Sequence, residues 1–301
     1  MKKVLLLLCA IAAPAFAQTD LKIGGTIFAD FTVNPSAANA FNVGRAYINV
    51  TGNVNKQISF RITPDVAREN GSGSSLSGSQ LVRLKYAYGQ LALDEWTTKG
   101  SWVRAGVQQT PFLDFAEATY RYRFQGTLFA EREGFLTSSD AGLSARWVFP
   151  NDLGDVHVGY YNGEGYSRTE TNDEKALQIR ATVRPFVKGL AATLFVDEDH
   201  YATDAKRSRV IGLLTYEHPR VNAGIETLHA DDRGVSTHGW SAWATPRLGK
   251  GWELLLRHDQ MTHHHRDIAG VAYWMKKNAI MVDYDRREPD TRYGLKLQLT
   301  F

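Results

Sequence analysis

The chain has 301 residues, 43% of them hydrophobic, with 35 Lys and Arg against 32 Asp and Glu and a formal net charge of +3. Helical membrane spans are excluded beyond residue 20, because nothing there approaches about 20 apolar residues without a charge. Wholesale disorder is excluded by 14 Phe, 13 Tyr and 7 Trp beside only 9 Pro. The single cysteine, Cys9, allows neither an intrachain disulfide nor a Cys-based metal scaffold.

The first residues read as an address. Lys2 and Lys3 form a positive n-region, Val4 to Ala13 an apolar h-region, and Ala15-Phe16-Ala17 a small-residue site with cleavage expected before Gln18. Leu8 ahead of Cys9 is too bulky for lipid attachment. Residues 1–17 are therefore expected to be a signal peptide and 18–301 the mature domain. With Lys2 and Lys3 removed, global charge says little about partners, so any electrostatic argument rests on where charges sit.

From Leu21 onward period-2 alternation recurs and no long 3.6-residue period does, which predicts an all-β chain. Ala46, Ile48 and Val50 oppose Arg45, Tyr47 and Asn49; Ile58, Phe60 and Ile62 oppose Gln57, Ser59, Arg61 and Thr63. Val82, Leu84, Tyr86 and Tyr88 are expected opposite Arg83 and Lys85, and Leu177, Ile179, Ala181 and Val183 opposite Gln178, Arg180 and Arg184. Segments of this kind give about 16 strands, near 21–33, 41–53, 56–66, 80–92, 100–108, 139–149, 154–162, 175–186, 188–197, 207–217, 220–229, 236–246, 251–260, 267–276, 278–285 and 292–301. Connections alternate in length. Asn53–Lys56, Pro150–Leu153, Phe186–Gly189, His218–Arg220, Arg247–Gly251 and Lys276–Asn278 are short, whereas Ala67–Ser79, Gln109–Ser138, Asn162–Glu174 and Glu198–Lys206 are longer and more polar.

Short turns on one rim and long loops on the other are the plan of a transmembrane antiparallel β-barrel of the bacterial outer membrane. A secreted β-sandwich or β-helix also alternates, but it has edge strands with weaker patterning. Aromatics near strand ends (Trp102, Trp147, Tyr160, Trp240, Trp252, Trp274, Tyr293) suit interfacial girdles, and the amphipathic last strand, closing on Phe301, resembles the assembly signal read by the barrel-assembly machinery.

Between Phe41 and Gly52, Phe41-Asn-Val-Gly-Arg45-Ala-Tyr47-Ile-Asn-Val-Thr-Gly52 is followed by Phe60-Arg61-Ile-Thr-Pro-Asp65 and Leu84-Lys85-Tyr86-Ala-Tyr88. Then come Val103-Arg104-Ala-Gly106-Val-Gln108-Gln-Thr110-Pro111-Phe112, Glu131-Arg-Glu133-Gly134-Phe135, Ser139-Asp140-Ala-Gly142-Leu and Tyr161-Asn162-Gly163-Glu164-Gly165-Tyr166. This order, over about residues 40–166, resembles the phosphate-selective porin O and P family. The resemblance implies a 16-stranded, usually trimeric outer-membrane channel whose third external loop narrows the bore; members differ in solute, so phosphate does not follow from it.

With the apolar face toward lipid, alternation puts Arg45, Arg61, Arg83, Lys85, Arg104, Arg146, Arg180, Arg184, Arg209, Arg257 and Lys296 in the lumen. Asp30, Asp65, Asp197, Glu226, Glu253, Asp259, Asp283 and Asp285 share that face. Bases dominate the first half and acids gather in the second, so a field across the pore and an anion preference are expected, unless these charges pair and simply fill a polar interior. The Gln109–Ser138 segment is too long for a hairpin, and its Tyr120-Arg121-Tyr122-Arg123-Phe124 run offers stacking faces and anion donors to a constriction. The alternative is a loop packed on a neighbouring subunit.

The remaining constellations are weaker. His263-His264-His265 is an exposed-loop triplet without a placed carboxylate, read as incidental and not as a metal site. An outer-membrane hydrolase would need a serine, a histidine and an orienting group brought together, and His238 and Ser241 have no motif behind them. No phosphate loop, dinucleotide fingerprint or nucleic-acid module is present. The sequence thus predicts a porin without cofactor or catalysis that passes small anionic or neutral solutes and is surrounded by outer-membrane lipid, most simply as a homotrimer. The residues expected to line its pore and bind anions are Arg45, Arg61, Arg83, Lys85, Arg104, Arg121, Arg123, Arg146, Arg180 and Arg184.

Overall fold

The computed structural model describes residues 20–301 except 70, 72, 171, 186, 203 and 204. The expected signal peptide and its cleavage site lie outside the described residues. Sixteen strands form one closed antiparallel barrel. They are β1 Asp20–Val33, β2 Ala40–Asn53, β3 Ile58–Arg68, β4 Gln80–Ala92, β5 Trp102–Gln109, β6 Ser139–Val148, β7 Gly154–Tyr161 and β8 Ala176–Val183. The second half continues with β9 Leu190–Ala202, β10 Ala205–His218, β11 Val221–Asp232, β12 Val235–Gly249, β13 Trp252–Met261, β14 His265–Met275, β15 Asn278–Arg287 and β16 Asp290–Thr300. Each strand pairs with its neighbours in sequence, and β16 pairs with β1. Closure leaves no edge, so every strand satisfies its backbone groups within the barrel, as a hydrocarbon surrounding requires.

The faces follow from alternation. Outward positions expose large apolar side chains, among them Ile23 (68%), Val82 (72%) and Val282 (62%), while Thr63, Asp65, His157 and Asp197 on inward positions are fully buried. Two β-bulges among the first four strands reset the phase. Gly44 is the extra residue where β2 meets β1, so Val43 points outward and Arg45 inward. Lys85 is the extra residue where β4 meets β3, opposite Pro64, which has no N–H to give the ladder. The Lys85 bulge corrects the expected face of Tyr86 and Tyr88: Tyr86 is buried beneath the Arg61 guanidinium, and Tyr88 lies under Arg104. Alternation counted along one strand cannot see an inserted residue.

The connection expected at Glu198–Lys206 is also shorter than its polarity suggested. β9 runs to Ala202 and β10 resumes at Ala205, and β11 and β12 meet at a two-residue turn, Arg233-Gly234, both with positive φ. Strand ends beyond the apolar belt are polar on both faces and therefore read as loop.

The 110–138 segment carries two helices, α1 Pro111–Thr119 and α2 Phe129–Arg132. Pro111 opens α1, where its missing N–H costs nothing. The Thr110 hydroxyl caps nothing; it donates to Thr137 O (2.7 Å), and Thr110 N donates to Ser138 O, so the two ends of the segment are clasped together. Phe112, Leu113, Tyr120, Tyr122, Leu128 and Phe129 are buried against the inward side chains Phe195, Ile211, Leu213, Leu228, Trp243, Leu255 and Met281 of β9–β15. The inner face of that half is therefore apolar at its centre, contrary to the expectation of one apolar face throughout.

At the seam, Phe301 N donates to Gly25 O (3.1 Å) and Gly25 N to Phe301 O (3.0 Å), and the Phe301 ring fills the space where a Cβ on Gly25 would stand. Deleting Phe301 removes both bonds and the ring together. The expected result is a marked fall in the compact, heat-modifiable form on cold gel electrophoresis; undiminished compact protein would show that the seam closes without it.

Candidate pore lining

Three polar cavities succeed one another along the inner face of β1, whose inward residues include Lys22, Thr26, Phe28, Asp30 and Thr32. Toward the rim of long loops, a cavity of about 250 Å³ is lined by Thr32, Gln125, Gly126, Arg132, Arg266, Asp283, Asp285, Arg292 and Lys296. Beneath it, one of about 180 Å³ is bounded by Thr26, Phe28, Tyr47, Asn49, Arg61, Lys85, Tyr86, Glu117 and Arg123. At the rim of tight turns, a third of about 250 Å³ is lined by Asp20, Lys22, Thr51, Asn53, Ser59, Arg61, Tyr88 and Gln90. Together they present eight basic residues (Arg132, Arg266, Arg292, Lys296, Arg61, Lys85, Arg123, Lys22) and four acidic ones (Asp283, Asp285, Glu117, Asp20).

The middle cavity holds two bases without an ion pair within 4 Å among the described residues, Lys85 and Arg61. The Lys85 ammonium is nearly buried (2% exposed) in an aromatic cage, 5.0, 5.5 and 5.8 Å from the ring centroids of Tyr47, Tyr86 and Tyr166. Among the described residues no carboxylate lies within 4 Å of it. Arg61 lies 4.4 Å over the Tyr86 ring and donates, among the described residues, only to neutral oxygens, Asn49 Oδ1 (2.6 Å) and Thr63 Oγ1 (3.0 Å). Arg123, opposite, donates to Glu117 and Glu131. Burial acts to lower this guanidinium, and the two carboxylates outweigh burial, so it is held above its ordinary range.

The other expected lining residues divide by location. Arg45 pairs with Asp65, and both share the Tyr166 hydroxyl; Arg83 pairs with Glu69 at 2.6 Å. Arg104 stacks on Trp102, 3.8 Å from its ring centroid, and lies 3.8 Å from Asp114. Arg121 donates to Glu253 (2.7 Å) and covers Trp274, which ties the loop to the wall. Arg146, Arg180 and Arg184 converge on the fully buried carboxylate of Asp155. These three line a separate cavity of about 630 Å³ under α1, facing the tight-turn rim at residues 151–153. The ten residues are thus not one wall: Arg61, Lys85 and Arg123 meet in one cavity, and Arg146, Arg180 and Arg184 belong to another.

The acids of the second half mostly serve the loop. Glu226 accepts Ala130 N (3.0 Å), Asp283 and Asp285 accept the Gln125 amide (3.2 and 3.3 Å), and Asp259 holds Arg257, which donates to Thr127 O (2.8 Å). Arg132, half-buried on the loop, is held down at about 10 by burial, with the neighbouring Arg257 adding to the shift.

Lys22, Arg266 and Arg292 were missed by the sequence reading. Arg266 lay one residue before the expected strand 267–276, where alternation would have turned it inward had the strand begun at His265. The suggested hydrolase pair does not assemble: Ser241 points inward and donates to Asp259 (2.7 Å), whereas His238, on the same strand, points outward toward His229. The histidine triplet is dispersed, with His264 2.8 Å from Glu133 and His265 3.8 Å from Asp267. Among the described residues no group of three or more His, Cys, Asp or Glu is placed to hold a metal.

A closed antiparallel barrel of sixteen strands is the fold of the outer-membrane porins. Solved structures similar to the chain include Salmonella typhi OmpF in complex with daunomycin (13% identity, 93% of this chain and 97% of that one, TM-score 0.70). A loop-deletion mutant of OmpT, an outer membrane protein of Vibrio cholerae, matches at 14% identity over 95% and 100% of the chains with a TM-score of 0.68. A mutant of the Rh. blastica porin matches at 11% identity over 93% and 100%, with a TM-score of 0.66. No family model and no curated protein matches the chain. The fold is therefore shared with these porins, and the resemblance to the phosphate-selective O and P family has no family match behind it.

Proposed function

We propose that this protein is an outer-membrane porin that passes small hydrophilic solutes by diffusion and prefers anions. The supporting observation is the file of three polar cavities along β1 with twice as many basic as acidic side chains on their walls. The 110–138 segment covers the inner wall of β9–β15, and solute passes between its other side and β1–β4 with β16. There an anion exchanges water for the guanidinium of Arg61 in the field of the buried, caged ammonium of Lys85, and Glu117 and Glu131 are partly neutralised by Arg123. Binding is weak enough for release because each base offers few donors and none is arranged with others as a closed cage around an anion.

No cofactor and no catalytic step enter this reading. A signal peptide at residues 1–17 exports the chain, Phe301 engages the assembly machinery, the exposed apolar faces meet outer-membrane lipid, and three copies assemble. Planar-bilayer recording under a KCl gradient, with phosphate and a dicarboxylate substituted in turn for chloride, tests the function. The expected result is stepwise conductance with a reversal potential on the anion side; absence of conductance would favour a plugged barrel, and cation preference would overturn the charge argument.

A further inference from the structure

A site unrelated to the bore lies on the outward face of the β11–β12 hairpin. His229 and His238 are direct cross-strand partners, the fourth pair from the Arg233-Gly234 turn. Their ring centroids are 4.5 Å apart and their Nδ1 atoms 2.9 Å apart. The outward positions next to them carry Thr227, Asp231, Ser236 and Trp240, so the pair stands at the polar end of the outer face beside one aromatic ring.

Each Nδ1 has the other as its hydrogen-bond partner, an arrangement in which one ring must donate and the other accept. The same separation suits a different occupant. Two imidazole nitrogens, each about 2.0–2.1 Å from an ion, stand about 2.9 Å apart when they subtend a right angle and about 3.3 Å apart at the tetrahedral angle. The observed spacing therefore matches adjacent corners of a square or octahedron, the preference of Cu²⁺ and Ni²⁺, better than the tetrahedron of Zn²⁺.

We propose that His229 and His238 chelate a divalent transition-metal ion of tetragonal preference, Cu²⁺ or Ni²⁺, through their two Nδ1 atoms. Both rings bind as neutral imidazoles. The ring that held its proton on Nδ1 carries it on Nε2 once the metal is bound, so no net proton is released. Asp231, two pairs nearer the turn on the same face, is not a third ligand, because its carboxylate already accepts Gly234 N and Ser236 Oγ, each at 3.0 Å. The remaining coordination positions face outward and take water. His229 and His238 are both exposed, so an ion reaches the pair without opening the fold.

The test is titration of the folded full-length protein in detergent with CuCl₂ and with NiCl₂, followed calorimetrically and, for copper, by electron paramagnetic resonance. It is run with His263, His264 and His265 all replaced by Asn, to remove the loop triplet. One site per chain is expected, with hyperfine structure from two equivalent nitrogens. His229→Asn and His238→Asn should each weaken it by roughly a hundredfold, because either change removes the chelate, and the double variant should lose little more. Heat-modifiable migration should stay unchanged, since both side chains lie outside the packed interior. Binding unchanged in either single variant, or lost entirely with the triplet, would overturn the proposal.

Discussion

Replacing Arg61 and Lys85 together by Gln is expected to move the reversal potential of the channel toward cation preference and to lower the anion-to-cation permeability ratio severalfold at low salt. These are the two bases of the middle cavity with no carboxylate within 4 Å among the described residues, so their charge reaches the solute with little local cancellation. Their removal leaves Arg123 there beside Glu117, with Glu131 behind it. A wall that had three bases and one acid then has one of each. The effect should be clear in about 0.1 M KCl, where the Debye length is about 10 Å, and should shrink in 1 M salt, where it is about 3 Å. Arg184→Gln is the control, because Arg184 lines the other cavity and pairs with Asp152 and Asp155. A double variant with the parent's reversal potential would mean that solutes take another path, and an equal shift in Arg184→Gln would mean that selectivity follows net charge and not position.

Much of this barrel can be read from the chain because a transmembrane sheet obeys period 2 strictly wherever lipid touches one face. The first half shows it most plainly: Ile58, Phe60 and Ile62 against Ser59, Arg61 and Thr63 already place Arg61 inward. The reading loses phase at the Lys85 bulge, since an inserted residue is visible only against its partner strand. It also misjudges β9–β15. Phe195, Ile211, Leu213 and Leu255 are apolar on the inner face because they pack on the 110–138 segment, whereas a strand considered alone gives no reason for an apolar residue to face a lumen. Ion pairing was hardest to read. Arg146 and Arg180 come from strands on either side of Asp155, and Arg121 meets Glu253 across 132 positions, so alternation shows which side chains face inward without showing which are neutralised.

The loop provides the second test. Arg123→Gln is expected to destabilise the constriction more than any single wall substitution, because it leaves Glu117 and Glu131 side by side without their shared cation. Removing one partner of a buried ion pair typically costs about 3–5 kcal/mol, most of it from the charge left behind. The Arg123 side chain is only 11% exposed, and so is that of Glu131. The barrel itself should survive, since its ladder of backbone hydrogen bonds does not involve residue 123, and migration on cold gels should be near normal. The segment is clasped at Thr110–Thr137 and held by its aromatic core on β9–β15, so the loosened part is the side facing Lys85 and Tyr47. The expected recording is therefore a noisier open channel with frequent substates and weaker anion preference, two carboxylates having gained freedom to enter the passage. Combining Arg123→Gln with Glu117→Gln removes one of those charges and should restore a quiet baseline. If the single variant were as quiet as the parent, the loop would be held by its apolar core alone; if the double variant were noisier still, the defect would be lost packing of the Arg123 side chain and not the unpaired acids.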